Sequence, residues 1–330
     1  MNSDVVISTR VRLARNLKEY PFPCRLSLQG REKVIEKVKD AVKNSNSSVA
    51  SDFDFIKMSE LTPQQSVSLV EKRLVSPEFI SDNDGRALLL SKDESLSIMI
   101  NEEDHIRLQV ITKGLSLEEA YDTADKLDTL LDENLDFAFD EKLGYLTQCP
   151  TNLGTGMRAS VMLHLPALEK SRVINRIAGN LSKLGLTIRG AHGEGTEPKG
   201  ALYQLSNQVT LGISEKSAIE NLKNITNQLI AQEDEARERI CKSIEICDSV
   251  SRSLGILKSA LTITHDEALT LLSNVRLGIV SKQIDNITTE TIDKLMSAVE
   301  PATLMVNSKK SLSANERDIE RANLLRATLS

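Results

Sequence analysis

Alternation of apolar and polar positions marks the first element of the chain. Residues 5 to 12 set Val5 and Ile7 against Ser8, Arg10 and Arg12, with Val11 and Leu13 on the other parity, which is the period-two pattern of a strand. Two apart in an extended segment, Arg10 and Arg12 point to one side. Like charges so placed repel unless an anion lies between them. The stretch Ser95 to Asn101 alternates Leu96, Ile98 and Ile100 against Ser95, Ser97 and Met99, predicting a half-buried strand that leads directly into Glu102 and Glu103. The strand after it carries Ile106, Leu108 and Val110 on one parity and Arg107 with Gln109 on the other, so Arg107 faces away from the apolar side, into a cleft. Shorter strand patterns cover Leu186 to Arg189 and Gln208 to Ile213.

Helical spacing fills most of the rest. It predicts a charged helix over Gln29 to Val42, a Ser/Asn-rich loop over Asn44 to Ser51, and an amphipathic helix over Pro63 to Val75. Ser116-Leu-Glu-Glu119 reads as a capping box opening a helix with Ala120, Ala124, Leu127 and Leu131 on one face. Another helix is expected from about Leu168 to Leu184, and a long one from Ser214 with Ile219, Leu222, Ile225 and Leu229 as its buried stripe. Beyond about Glu238 the strand pattern stops. Thr264-His-Asp-Glu267 and Ser313-Ala-Asn-Glu316 read as two further capping boxes, and Pro301 interrupts a helix ending near Glu300. The expectation is a mixed strand and helix domain over residues 1–238 and a separate all-α domain over 239–330.

Length and composition narrow the function classes. A chain of 330 residues fits about two domains, with 40% hydrophobic and 27% charged residues as in an ordinary soluble protein. The formal charge of −6 leaves no basic footprint for nucleic acid. No run approaches the roughly eighteen apolar residues of a membrane span, and the first residues are polar and arginine-bearing, so a soluble, cytoplasmic protein is expected. The four cysteines, Cys24, Cys149, Cys241 and Cys247, are too scattered for a disulfide framework. A metal site held by Cys and His is not expected either, since no C-x-x-C pair exists and the histidines are not at zinc spacing.

One stretch concentrates chemistry. Cys149-Pro-Thr-Asn-Leu-Gly-Thr-Gly-Met-Arg158 places a thiol, two glycines and an arginine within ten residues. Gly154 and Gly156 allow backbone amides to approach an anion closely, and Arg158 can reach the same anion with a planar fork of donors. The same letters fit a G-x-G-x-x-A dinucleotide turn, but no apolar strand precedes it. No Walker motif and no H-R-D or D-F-G set is present, so any phosphate must be held in another way.

Four segments in order resemble the phosphagen (guanidino) kinase family: Ser8-Thr-Arg10-Val-Arg12, Asn101-Glu-Glu-Asp-His-Ile-Arg107, Cys149-Pro-Thr-Asn-Leu-Gly-Thr155, and Ile188-Arg-Gly-Ala-His-Gly-Glu194-Gly-Thr196. The resemblance implies an α+β catalytic domain whose antiparallel sheet is flanked by helices. It implies ATP with Mg²⁺ as cofactor, a nucleotide cage of Arg10, Arg12, Arg107, Arg158 and Arg189, and Glu103 and Glu194 as the carboxylates that deprotonate and aim a guanidinium. A guanidinium has no acceptor and a pKa above about 12, so it needs such help before it can attack phosphorus. Cys149 matches the family's reactive cysteine, and Glu102 is a weaker candidate for electrostatic or metal support. His105 reads as a structural hydrogen-bonding residue. Glu194 favours an arginine acceptor over creatine. Where arginine kinases usually place a His that helps seat the adenine, Met162 stands.

Two departures, the lack of the family's small N-terminal helical domain and the extra C-terminal helices, match the bacterial protein-arginine kinases within that family. Arg317-Asp-Ile-Glu-Arg321-Ala322 is similar to their phosphoarginine-binding R-D-x-x-R-A element. One turn apart on a helix, Arg317 and Arg321 share a face that a phosphoryl group could bridge, although a solvated face relieved by Glu316 and Glu320 fits the same spacing. The implied function is phosphorylation of protein arginines, marking proteins for Clp-dependent degradation in a stress response. The implied partners are an activator protein, a heat-shock repressor as substrate, a Clp protease and a second copy of the chain in a homodimer. The alternatives are a free-arginine phosphagen kinase and a non-catalytic phosphoarginine-binding adaptor.

Overall fold

The computed structural model describes residues 4–43, 51–191 and 198–330. In chain order the elements are β1 (Val6–Arg15), α1 (Leu28–Lys43), β2 (Phe53–Lys57), α2 (Pro63–Glu71), β3 (Ala87–Ser91), β4 (Leu96–Ile100), β5 (Ile106–Lys113) and α3 (Leu117–Asp132). There follow β6 (Phe139–Asp140), β7 (Gly144–Tyr145), β8 (Met157–His164), α4 (Pro166–Lys170), α5 (Ile174–Lys183), β9 (Leu186–Gly190) and β10 (Leu202–Asn207). The rest is helical: α6 (Glu215–Ile240), α7 (Ile244–Ser259), α8 (His265–Val280), α9 (Thr289–Ala298), α10 (Pro301–Ser308) and α11 (Ala314–Leu329). The expected α+β architecture, an antiparallel sheet flanked by helices and followed by an all-helical region, is the one observed.

Eight strands form one sheet in the order β2-β3-β4-β5-β1-β8-β10-β9, and each adjacent pair runs antiparallel. Parity divides its residues. On one face Val11, Leu13, Leu108, Val110, Ala159, Val161 and Leu205 are fully buried beneath α1, α3 and α6. The opposite face is split between two smaller apolar clusters. At one end Met99, Leu88 and Leu90 pack with Met58, Leu74 and Phe79, while at the other Met162 and Leu202 pack with the C-terminal helices. Polar residues occupy the ground between them.

The C-terminal helices are joined to the sheet by a buried polar network. Arg276 of α8 donates from Nε to Asp293 Oδ1 at 2.7 Å and from Nη1 to the Asp4 carbonyl at 2.7 Å, and Nη1 lies 3.2 Å from His164 Nδ1. The other ring nitrogen of His164 is 2.8 Å from Ser273 Oγ. Burial, then the charge of Arg276, holds the His164 imidazole well below the ordinary histidine range, so it stays neutral beside that cation.

Several local expectations are corrected. The helix expected over Leu168 to Leu184 is broken into α4 and α5, with Arg172 at φ +57 between them. Ser116 does not cap α3 with its side chain; its hydroxyl donates instead to Thr112 and Lys113. Thr264 accepts from the Glu267 amide, and Ser313 with Glu316 forms the full reciprocal box. Gln208 to Ile213 is not a strand. Its Val209 and Leu211 are exposed, and Thr210 is turned onto the loop before β8, donating to the carbonyls of Thr151 and Leu153. The pairing strand lies one segment earlier, at β10.

Replacing Arg276 with Met should lower unfolding free energy by about 3 kcal/mol, because Asp293, the Asp4 carbonyl and His164 lose a common donor. Chemical denaturation of the full chain measures this, and an unchanged midpoint would mean that the network does not secure the C-terminal helices.

Candidate functional site

Strand register assembles the site. On the polar parity Arg12 of β1 stands opposite Arg158 of β8, and Arg10 stands opposite Ser160. On the other side of β1, Ala14 pairs with Arg107 of β5, while Gln204 of β10 pairs with Arg189 of β9. A pleated sheet keeps such same-face neighbours about 5 Å apart at their Cβ atoms. Five guanidinium groups from five places in the sequence are thus held over one face. They line a single cavity of about 610 Å³ together with Glu102, Glu103 and Gln204.

The cations load one another. The Arg10 guanidinium donates to Gln204 Oε1 at 2.7 Å, yet burial first, then the charges of Arg73, Arg107 and Arg158, push its pKa down to about 9. Arg12 is pushed well below the ordinary arginine value, by burial and then by Arg10, Arg107 and Arg158, with Glu102 opposing. Both remain protonated near neutral pH. Burial and like charge thus both disfavour the cluster until an anion joins it. In addition, Arg12 Nε is a buried donor with no hydrogen-bond partner among the described residues. A polyphosphate supplies the missing acceptors and charge together.

The carboxylates stand at the edge of the cluster on a pinned loop. Asn101, at φ +62, donates from Nδ2 to the carbonyls of Arg31 and Gly85 at 3.0 and 2.9 Å. Asp104 accepts from Asn16 Nδ2 at 2.6 Å and from the Gln148 amide at 2.8 Å. His105 accepts the Leu17 amide at Nδ1, and its Nε2 lies 3.0 Å from the Pro21 carbonyl. Burial pushes its pKa down to about 4. Between these anchors, buried Glu102 pairs with Arg107 at 2.5 Å and accepts from Ser76 Oγ. Glu103 is more open, 3.7 Å from Arg107 Nη2 and 3.5 Å from Asn152 Nδ2. Burial raises its pKa above the ordinary carboxylate value, while Arg107 and a hydrogen bond from Cys149 oppose the shift. The Cys149 thiol also lies 3.0 Å from Thr151 Oγ1. Cys149 and Glu103 therefore meet at one edge of the cavity.

Other expected residues fall elsewhere. Glu194 and His192 lie outside the described residues. Gly154 and Gly156 are not among the residues that line the cavity, and close backbone packing requires glycine at both. At φ +105 Gly154 abuts the Thr210 backbone, and at φ +62 Gly156 would put a Cβ 2.7 Å from the Ala14 carbonyl oxygen. Arg317 and Arg321 are not an open pair on one helix face. Arg321 is 1% exposed, donating to the Val299 and Ile263 carbonyls and to Asp318, and Ala322 is buried beside it. Arg317 is half-buried and donates to the Leu312 carbonyl at 3.1 Å. An interior position for Leu325 and Leu329 turns Arg321 inward as well.

Two contributors were missed in the sequence. Arg73 lines the same cavity as a sixth guanidinium, but the apolar pattern placed it inside a helix that ends at Glu71. Gln204 was hidden by the misplaced strand. A smaller recess of about 180 Å³ continues the cavity past Arg10, Arg73 and Gln204, where Met162 and Leu202 of the sheet face Leu269 and Met296 of the C-terminal helices. No cluster of three metal-binding side chains occurs among the described residues.

Exchanging Arg12 for Gln should raise the stability of the ligand-free chain by about 1 kcal/mol, the usual scale for relieving strain held at a functional site. The same change should abolish most of the thermal stabilisation given by inorganic tripolyphosphate. Paired melting curves test both signs, and loss of stability without ligand would contradict the charge-crowding account.

The model of the ATP:guanido phosphotransferase C-terminal catalytic domain matches residues 33–236, and that of the protein-arginine kinase McsB C-terminal domain matches residues 243–330. A protein-arginine kinase of Halothermothrix orenii is 49% identical over 329 residues, covering 99% of this chain and 93% of that protein. One from Clostridium acetobutylicum is 46% identical over 330 residues, covering 99% and 97%. Among solved structures, lombricine kinase aligns with a TM-score of 0.64 at 26% identity over 74% of this chain and 70% of its own. The duplicated taurocyamine kinase of Schistosoma mansoni aligns with a TM-score of 0.65 at 26% identity, over 78% of this chain and 39% of its own. A sheet face crowded with guanidinia, a carboxylate and a thiol at its edge, and likeness along the whole length place this chain in the protein-arginine kinase family of ATP:guanido phosphotransferases.

Proposed function

We propose that the chain transfers the γ-phosphoryl group of ATP to a guanidino nitrogen of arginine side chains in proteins. The observation that carries this reading is the guanidinium-lined face, with its buried Arg12 Nε unpartnered among the described residues, ending at Glu103 and Cys149. Phosphoryl transfer asks a protein mainly for positioning and charge neutralisation, because the transferred group is loosely bonded and highly anionic in the transition state. Arg10, Arg12, Arg107, Arg158 and Arg189 hold the phosphates. Glu103 accepts the proton lost from the attacking nitrogen as the N–P bond forms and the bond to the ADP oxygen breaks. Cys149 steadies Glu103, and Glu102 keeps Arg107 in place. Glu194 is proposed as the second carboxylate that aims the guanidinium. Mg²⁺ would neutralise phosphate oxygens, held by ATP and water with no dedicated protein cage.

The likeness to protein-arginine kinases through the C-terminal helices favours a protein acceptor over free arginine. In the same reading, Arg317 and Asp318 carry the accessible part of a phosphoarginine site, with buried Arg321 and Ala322 as its frame. The chain acts as a cytoplasmic homodimer in a stress response, with an activator protein, and its products, a heat-shock repressor among them, are passed to a Clp protease. Among the described residues no helix is long and apolar enough to cross a membrane.

Incubating a mixed protein substrate with Mg-ATP, and analysing it by mass spectrometry without acid exposure, should yield phosphoarginine. Phosphoserine or phosphotyrosine as the only product would end the proposal, and rapid ADP release with millimolar arginine as sole acceptor would favour the free amino acid instead. Glu103→Gln should lower kcat by about 10²- to 10⁴-fold, the usual worth of a general base. Because the base works ionised and burial raises its pKa, kcat/KM should fall as pH drops, with the acid limb centred above the ordinary carboxylate range. A pH–rate profile flat through that region would exclude Glu103 as the base.

A further inference from the structure

Helix α2 of the sheet domain and α10 of the C-terminal region grip one another through a single carboxylate. Pro301 occupies the first position of α10, and the next two amides point at Glu71, the last residue of α2. Ala302 N–H donates to Oε1 at 2.9 Å and Thr303 N–H to Oε2 at 2.7 Å. The Thr303 hydroxyl adds a third bond to Oε2 at 2.8 Å and lies 3.0 Å from Ser68 Oγ. Thr303 and Ser68 are 2% and 4% exposed, so the contact is enclosed. A carboxylate at a helix N-terminus is favoured both by the free amides and by the helix dipole.

The segment that leaves Glu71 goes straight to the cavity. Arg73 stands at φ +63, in the left-handed conformation that closes the end of α2, where its amide donates to the Val70 carbonyl at 2.8 Å and the Leu74 amide to the Leu69 carbonyl at 2.9 Å. On the sheet side it is held by Gln109, whose Nε2 donates to the Arg73 and Leu74 carbonyls at 3.0 and 3.1 Å, and by Ser97, which donates to the Leu74 carbonyl at 3.0 Å. On the other side the hold is Glu71 and α10. Glu300, one residue before α10, lines the same cavity and partly offsets the burial that lowers the Arg73 pKa. Arg73 in turn acts on Arg10.

We infer that the α10 clasp on Glu71 is a positioning device for the nucleotide site: it fixes the end of α2 so that Arg73 completes the guanidinium face, and the C-terminal helices thereby set nucleotide affinity. The inference rests on the reading of this cavity as a nucleotide site and adds the residues that adjust it. Glu71 and Thr303 are positioning residues. Neither is assigned contact with phosphate or acceptor.

Calorimetric titration of the full chain with Mg-ADP, with kcat measured in parallel, separates the two. Thr303→Val keeps the side-chain shape and removes the hydroxyl, and should weaken Mg-ADP binding by about three- to tenfold, the effect of losing one or two partly buried hydrogen bonds. Saturating ATP should restore kcat to within about twofold of the parent, because the reacting edge at Glu103 is untouched. Thr303→Ser should bind as the parent does. If the clasp acts through Arg73, the Thr303→Val/Arg73→Gln double variant should bind no more weakly than Arg73→Gln alone. Parent-like binding by Thr303→Val, or losses that multiply in the double variant, would overturn the inference while leaving the kinase reading intact. A parent chain that binds no Mg-ADP would overturn both. Should Thr303→Val not fold, Ser68→Ala, which removes only the outer hydroxyl contact, should weaken binding by about twofold, and unaltered binding in that variant counts against the clasp.

Discussion

Mutual repulsion among buried guanidinium groups is the constraint around which the rest of the molecule is arranged. The charges of Arg107 and Arg158 make the buried guanidinium groups of Arg10 and Arg12 less favourable, and Arg10 does the same to Arg12. Five glutamates line the same cavity, but three of them have partners outside the cation cluster or deep within it: Glu102 meets Arg107 and Ser76, Glu71 the amides of α10, and Glu300 lies 3.1 Å from His265 Nε2. A flexible loop bearing such charges would splay apart and relax. A sheet cannot, because Arg10, Arg12, Arg107 and Arg158 sit on strands whose neighbours on both sides fix their height and direction. The stability of the apolar face, buried under α1, α3 and α6, is what keeps the charged face together.

The same logic explains the different fates of the two glutamates. Asn101 Nδ2, Asp104 Oδ1 and both ring nitrogens of His105 are bonded to the surrounding backbone and side chains, so the loop between β4 and β5 is pinned at three points. Glu102 points into protein and meets Arg107 and Ser76 at close range. Glu103, next along, points toward the edge where Cys149 and Asn152 approach. An ion pair that is nearly buried and a carboxylate that is half-open divide the work of structure and chemistry between adjacent residues. Such a pair of environments is a common way for one short segment to provide both a fixed charge and a proton acceptor.

Period-two alternation made the face legible in the sequence, since it assigned Arg10 with Arg12 to one side of β1 and Arg107 to the polar side of β5. It could not show which strands adjoin, and the juxtaposition of Arg12 with Arg158 is a matter of register between segments almost 150 positions apart. Arg73 was invisible for a local reason: the helical pattern runs through it, while the chain departs into a left-handed residue that closes the end of α2 through bonds to the Val70 and Leu69 carbonyls, with Gln109 bracing it from the sheet. Val209 and Leu211 misled in the opposite way. They alternate as a strand does, yet stand exposed in a loop that braces the turn at Gly154. The R-D-x-x-R-A spacing put two arginines on one helix face correctly but said nothing of burial, and interior packing of α11 claimed one of them.

Burial of Arg321 connects the end of the chain to the cavity by backbone. Its Nε donates to the Val299 carbonyl at 3.0 Å and its Nη1 to the Ile263 carbonyl at 2.8 Å, which anchors the turn between α9 and α10. Glu300 follows Val299 and enters the cavity; Pro301 follows and starts the helix that holds Glu71. Any displacement of α11 would drag the Val299 carbonyl or leave a buried guanidinium without its acceptors, at a cost of several kcal/mol for a charged group. The less costly response is for the turn to move with the helix, carrying Glu300 and the α10 amides along. The C-terminal helices thus contact the guanidinium face at the few residues where a carbonyl, a carboxylate and a helix start follow one another.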